Sequence, residues 1–121
     1  MLTPELYRDE HFMVDFQNQA AFLDNRAMVL TRKEYELMAV LAANAGEIVP
    51  RESLLRDIWG YSPEIRTRTL DVHIRRLRKK LGAYGDQYIE TIFGVGYRFQ
   101  PFRAPRPAAL VPLTFAMASV A

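Results

Sequence analysis

Of the 16 lysines and arginines in this 121-residue chain, seven fall between Arg66 and Lys80: Arg66, Arg68, Arg75, Arg76, Arg78, Lys79 and Lys80. Asp71 is the single acid among them, so the segment carries +6; the whole chain carries +2 and the remainder therefore −4. A near-neutral chain with one concentrated cationic element offers a localised surface to a polyanion. The plain alternative is a solvated helix face. Spacing separates the two. With Leu70 set at 0° and roughly 100° per residue, Ile74, Leu77 and Leu81 fall within about 40° of it, one narrow apolar stripe. Arg68, Val72, Arg75 and Lys79 fall at roughly 140–200°, almost opposite, with Thr69 and Arg76 beside them at roughly 240–260°. A solvated face would interleave acids at i,i+4, and this one does not. Arginine can bond two acceptors on a guanine edge, threonine can bond several bases, and valine can pack on a thymine methyl. The ridge has the chemistry of a nucleic-acid reader.

Catalytic chemistry finds no comparable constellation. There is no cysteine, hence no thiol nucleophile, disulfide or Cys-based zinc site, and the only histidines are His11 and His73. No His pair has metal spacing, and neither a phosphate-cradling glycine loop nor a nucleophile elbow is present. Asp71 and His73 are two apart on a helix and point to different faces, so they form no dyad. Asp71 instead suits the helix N-terminus or a neighbouring Arg. No enzyme activity, metal or cofactor is expected.

The elements that must position the ridge are legible around it. The basic helix is expected over about Arg66–Leu81, stopped by Gly82. Before it, Pro50 opens a short helix with core residues Leu54, Leu55, Ile58 and Trp59, broken by Gly60-Tyr61-Ser62-Pro63. Upstream, Thr31…Glu34 has capping-box spacing, Leu30 and Tyr35 can form the hydrophobic staple, and Leu37, Met38, Leu41, Ala42 and Ala45 make an apolar face ending near Gly46. Glu47-Ile48-Val49 reads as an extended link. Residues 4–30 read as an antiparallel meander: a first strand near Leu6-Tyr7, alternation at Phe12, Val14 and Phe16, and turns at Gln17-Asn18-Gln19 and Asp24-Asn25-Arg26. Tyr88–Gln100 reads as a hairpin turned by Gly94-Val95-Gly96. A short helix, a connection longer than a tight turn, a basic helix and a following hairpin make an α+β winged helix-turn-helix with an N-terminal antiparallel sheet, three helices and a C-terminal β-hairpin wing.

At Thr69-Leu70-Asp71-Val72-His73-Ile74-Arg75-Arg76-Leu77-Arg78-Lys79-Lys80-Leu81 the chain closely resembles the OmpR/PhoB family of winged-helix DNA-binding domains. Leu30-Thr31…Glu34-Tyr35, Arg51-Glu52…Leu54-Leu55…Ile58-Trp59-Gly60 and Gly94-Val95-Gly96-Tyr97-Arg98-Phe99 match in the same order, over residues 4–102. The resemblance implies the effector half of a two-component response regulator, binding double-stranded DNA at direct repeats as a head-to-tail dimer. By position, Arg68, Thr69, Val72, Arg75 and Arg76 match residues facing the major groove. His73 and Arg78 match positions near the phosphate backbone, although His73 also borders the apolar stripe and suits packing. Thr91 matches a wing residue near phosphate; Lys79 on the ridge and Tyr97 in the wing motif complete the expected DNA-binding set. Trp59, Gly60, Tyr61, Ser62, Pro63 and Glu64 match the loop that touches RNA polymerase in activators of the family, while a Trp ending an apolar helix equally suits the core.

The wing departs from the pattern at one point. Many relatives carry an Arg before the first wing glycine that reaches into the minor groove, and this chain has Phe93. Phe93 either packs on the sugar edge or folds inward. Four of the seven prolines (Pro101, Pro105, Pro107 and Pro112) fall in the last 21 residues, so 103–121 is expected as a Pro-rich, apolar tail outside the helices and sheets. Its uncharged run Pro107–Ala121 is shorter than the roughly 20 residues of a spanning helix. Arg8, Asp9 and Glu10 interrupt the place of a signal peptide, so the domain is expected in the cytoplasm. The length leaves no room for a receiver domain, which together with a sensor kinase would belong to a parent protein. Two other readings stand beside this one: the cytoplasmic front end of a membrane-anchored regulator, and an interaction module docking an acidic protein on the basic helix.

Overall fold

The computed structural model describes residues 5–103. The expected tail from residue 104 onward lies outside the described residues. The chain opens with a four-stranded antiparallel sheet in sequential order, β1 (Leu6–Arg8), β2 (Phe12–Asp15), β3 (Ala20–Leu23) and β4 (Arg26–Ala27). Alternation in β2 buries Phe12 and Val14 almost completely. Asp24 and Asn25 form the two-residue turn between β3 and β4, both at positive φ (50° and 67°), as a tight hairpin with the right-handed twist requires.

The capping box forms as its spacing predicts. Thr31 Oγ1 accepts from the Glu34 N–H at 3.2 Å, and Glu34 Oε1 accepts from the Thr31 N–H at 2.8 Å, starting α1 (Arg32–Ala43). Leu37, Met38 and Leu41 on its inner face are fully buried.

The link after α1 is a strand. β5 (Ile48–Pro50) pairs antiparallel with the last strand of the fold, and the Gly46 N–H extends that contact to the Phe99 carbonyl at 2.8 Å. Pro50 precedes the second helix as its N-cap. This helix, α2 (Arg51–Leu54), is a single turn that widens into a π-type turn over Leu55–Trp59 and stops at Gly60. Lys33 Nζ donates to the Ile58 carbonyl at 2.6 Å, satisfying an oxygen of the widened turn.

The basic helix, α3 (Thr69–Lys80), starts three residues later than its periodicity predicts, because the Thr67 hydroxyl takes the Thr69 N–H (3.1 Å) and holds the preceding chain in a turn. The predicted stripe is the buried one: Leu70, Ile74, Leu77 and Leu81 are at most 1% exposed. A 3-10 turn (Gly82–Tyr84) and a short helix absent from the sequence reading, α4 (Gly85–Tyr88), then lead into the hairpin β6 (Ile89–Ile92) and β7 (Gly96–Phe99). The wing turn is Phe93-Gly94-Val95, with Gly94 at φ 79°, and Gly96 belongs to β7. A Cβ on Gly96 would sit 2.1 Å from the Val49 carbonyl oxygen, so glycine is what lets β7 lie against β5. The second sheet has the order β5-β7-β6.

Aromatic contacts join the two sheets. Tyr7 meets Phe99 edge-on at 5.0 Å, and Tyr88 stacks on Phe99 at 5.4 Å. Asp9 ties the same junction together: it accepts from the His11, Phe12 and Phe102 N–H groups and from the hydroxyls of Tyr7 and Tyr88. Burial alone would raise the Asp9 carboxyl, but the two tyrosines and the backbone donors hold it below the usual carboxylate range.

Candidate nucleic-acid interface

Each side of α3 has a different neighbour. One flank carries Asp71 and Arg78 and faces the wing. Arg78 donates to the Ile89 carbonyl (2.7 Å) and to Thr91 Oγ1 (2.8 Å), both on β6, and its guanidinium lies 6.0 Å from the centre of the Tyr97 ring. Asp71 Oδ1 accepts from the Tyr97 hydroxyl at 2.8 Å and from Arg51 at 2.5 Å, so Asp71 pairs with α2 rather than with an arginine of its own helix. Tyr97 is 7% exposed; burial, reinforced by Asp71, raises its phenol and keeps it a donor.

The opposite flank carries His73 and Lys80. His73 Nδ1 lies 2.7 Å from the Thr69 carbonyl, and its ring meets the half-buried Trp59 edge-on at 4.9 Å. Lys80 Nζ donates to Glu34 Oε1 (2.6 Å) and to the Val29 carbonyl (2.8 Å), clamping the end of α3 to the start of α1. Glu34 is only 2% exposed. Burial would raise its carboxyl, but Lys80 and the Thr31 cap lower it further than burial raises it, so an ionised capping glutamate receives the lysine.

These bonds divide the basic segment in two. Arg78 and Lys80 are held by the fold. Arg66, Arg68, Arg75, Arg76 and Lys79 are exposed, and among the described residues none has a carboxylate within 4.0 Å. Val72 stands 40% exposed within the ridge, and Thr69 is half-buried at its edge. The structure thus brings Arg68, Thr69, Val72, Arg75, Arg76 and Lys79 onto one outward surface. Thr91 and Tyr97 stand behind it, bonded to Arg78 and Asp71.

Two participants were not among the individual residues expected at the site. Arg51 appeared only as part of a motif, and its bond to Asp71 across 20 residues leaves no local signal. Arg66 lies ahead of the helix, yet with Arg51, Arg68 and Asp71 it lines one groove that reaches the wing turn at Gly94 and Val95. The segment expected to meet a polymerase is solvent-facing at Gly60 and Ser62–Glu64, while Trp59 and Tyr61 are half-buried. Among the described residues no helix is long and apolar enough to cross a membrane.

Known proteins similar in sequence and shape agree with one another. A family model described as the C-terminal part of transcriptional regulatory proteins matches residues 25–99. The response regulator ArlR of Staphylococcus saprophyticus is 43% identical over 76 residues, covering 62% of this chain and 34% of ArlR. The transcriptional regulatory protein SrrA of Staphylococcus aureus is 36% identical over 102 residues, covering 82% of this chain and 42% of SrrA. The chain therefore spans well under half the length of these relatives. Among solved structures, the RstA DNA-binding domain of Klebsiella pneumoniae, crystallised with the RstA box, superposes with a TM-score of 0.74 at 30% identity; the match covers 82% of this chain and all of that one. DrrB of Thermotoga maritima, an OmpR/PhoB homolog, gives a TM-score of 0.71 at 36% identity, covering 79% of this chain and 44% of DrrB. With the ridge, the wing and these matches in agreement, the chain belongs to the OmpR/PhoB-type family of transcriptional-regulator C-terminal DNA-binding domains.

Proposed function

We propose that the chain binds double-stranded DNA sequence-specifically as the effector domain of a transcriptional response regulator, with the outer face of α3 in the major groove. One observation carries this reading: five exposed cations without a carboxylate partner surround Val72 and Thr69 on a helix whose other three sides are bonded into the fold. A rigid helix with one unsatisfied cationic side is complementary to a groove lined by phosphates and base edges. Arg68, Arg75 and Arg76 serve as base readers with Thr69 and Val72, and Lys79 and Arg66 meet phosphates. His73, through its free ring edge, is a phosphate contact at the groove margin. Arg78, Thr91 and Tyr97 act through the position of the helix and wing.

The DNA-binding unit comprises residues 4–102, and 103–121 follow it as a tail. It works in the cytoplasm without a catalytic step, within a longer protein whose receiver domain is addressed by a sensor kinase. Relatives more than twice its matched length support that arrangement. Two copies bind direct repeats head to tail, and the Gly60–Glu64 loop, exposed at Gly60 and Ser62–Glu64, is the surface offered to RNA polymerase.

Selection of bound duplexes from random DNA tests the central claim. The expected result is an enriched motif of a few base pairs whose binding weakens steeply with salt. Binding to an acidic protein with equal salt dependence and no enriched DNA motif would replace this reading with that of an interaction module.

A further inference from the structure

The two ring nitrogens of the half-buried His73 have different surroundings. Nδ1 lies 2.7 Å from the Thr69 carbonyl, one turn back on the same helix. A backbone carbonyl can only accept, so Nδ1 carries a proton and donates it. In a neutral ring the second nitrogen, Nε2, is then a bare acceptor. Among the described residues Nε2 has no hydrogen-bond partner, and it reaches solvent rather than being sealed beneath Trp59. With Leu70 at 0°, His73 falls at roughly 300°, beside Arg76 at roughly 240° and so at the edge of the cationic ridge.

The charged groups of the elements packed against this flank are engaged with one another. In the widened turn Arg56 pairs with Asp57 at 2.9 Å. On α1, Arg32 and Lys33 each pair with Glu36 at 3.1 Å, and Glu34 holds Lys80 of α3 at 2.6 Å. No carboxylate of the described residues pairs with the His73 ring, so its charge is left for something outside the fold. Nothing else on the outward surface has the chemistry to change charge between pH 5 and 8. The ridge cations are arginines and a lysine, and at the wing turn Phe93 stands 90% exposed rather than folded inward.

Resting on the DNA-binding reading, which sets His73 against a phosphate, we propose that His73 makes this contact only as the imidazolium, so that DNA binding takes up a proton. A neutral ring turns the Nε2 lone pair toward phosphate oxygens, acceptor against acceptor. The charged ring keeps Nδ1–H on Thr69 and gains an outward Nε2–H, a charge-assisted donor. Trp59, edge-on at 4.9 Å, and the Thr69 bond hold the imidazole in this orientation. The proton comes from solvent and stays on Nε2 while the duplex is bound. Linkage sets the sign: DNA favours the protonated ring, so this part of the affinity is complete at low pH and lost as pH rises.

The test measures the affinity of the full chain for one selected duplex, by fluorescence anisotropy at fixed salt, from about pH 5.5 to about pH 8. Wild type should bind about tenfold more tightly at the lower pH, with a salt slope steeper there by about 0.9. A scrambled duplex should show the same pH ratio, because a phosphate contact carries no sequence information. His73→Gln should bind independently of pH, His73→Lys should keep the low-pH affinity throughout, and His11→Gln should keep the wild-type profile. Calorimetry in two buffers of unlike ionisation enthalpy should find a fraction of a proton, at most one, taken up by each wild-type domain. Wild-type affinity constant within twofold across the range, with no proton taken up, would overturn the proposal while leaving DNA binding intact. So would a pH profile that survives in a His73→Gln protein of normal melting temperature. Absence of salt-dependent binding by wild type at either pH would overturn the DNA-binding reading and this proposal together.

Discussion

The division of the seven basic residues into five without a carboxylate partner and two tied into the fold sets how steeply DNA binding should weaken with salt. Each phosphate neutralised by a protein cation contributes about −0.9 to the slope of log K against log salt. All seven acting on phosphates would give about −6.3, whereas the five without a carboxylate partner set a ceiling of about −4.5, reached only where the base-reading arginines also lie against phosphates. From 50 to 200 mM salt these slopes mean a loss of about 6,000-fold or about 500-fold, which fluorescence anisotropy on a single half-site separates easily. Two variants then assign the charges. Lys79→Ala should flatten the slope by about 0.9 and leave the melting temperature alone, because Lys79 is exposed without a carboxylate partner. Arg78→Ala should do the reverse, since its guanidinium bonds Ile89 and Thr91. Losing charged hydrogen bonds of this kind costs about 2 kcal/mol, or roughly 10 °C in Tm for a domain of this size, with the slope unchanged. A wild-type slope near −6.3, or an Arg78→Ala protein that melts normally and binds with a flatter slope, would show that the fold does not withhold these cations.

Arg76→Ala should cost about 1–3 kcal/mol on the selected site and relax one base pair; an equal loss on scrambled duplex would make Arg76 a phosphate contact instead. Gly96→Ala drives a Cβ into the Val49 carbonyl and should separate β7 from β5, lowering stability by about 3 kcal/mol or more in a chemical melt, whereas an unchanged midpoint would mean the strands yield at no cost. Asp9, whose carboxyl is lowered in the fold, contributes stability that is fully present above about pH 4 and lost as pH falls through its folded value. Melting curves from pH 7 to 3 should therefore flatten in Asp9→Asn, and a variant as acid-sensitive as wild type would place that sensitivity elsewhere.

What the sequence disclosed and what it concealed follow from the range of the interactions. The stripe Leu70, Ile74, Leu77 and Leu81 and the box Thr31–Glu34 were legible because their periods and spacings lie within one helix. β5 was not, because three residues carry too little alternation to distinguish a strand from a link, and its partner β7 lies some 50 residues away. The late start of α3 hinges on one hydroxyl, that of Thr67, and α4 is shorter than any periodic signal. At the site, the outward face could be drawn from helix geometry alone. The fates of Arg78 and Lys80 could not, since their acceptors, Ile89 and Glu34, come from other elements.

Those long-range bonds explain why a helix so basic can be held rigidly enough to read a groove. An isolated stretch with bases at 75, 76, 78, 79 and 80 repels itself and would gain little from its own i,i+4 pairs. Here the apolar stripe seats one side, and each flank converts a charge into an anchor: Arg78 with Asp71 toward the wing, Lys80 toward the ionised Glu34. Glu34 is in turn kept in place by the cap that starts α1, and Asp71 by Arg51 and Tyr97. Removing the capping glutamate should therefore tilt or loosen α3 at its C-terminal end as well as weaken α1. Glu34→Gln keeps an acceptor for Thr31 while giving up the charge that holds Lys80. Its thermal loss should be partial, and the freed Lys80 should add about 0.9 to the magnitude of the salt slope on DNA. A Glu34→Gln protein with the wild-type slope would mean that Lys80 stays on the Val29 carbonyl without its carboxylate, and that the clamp depends on shape rather than charge.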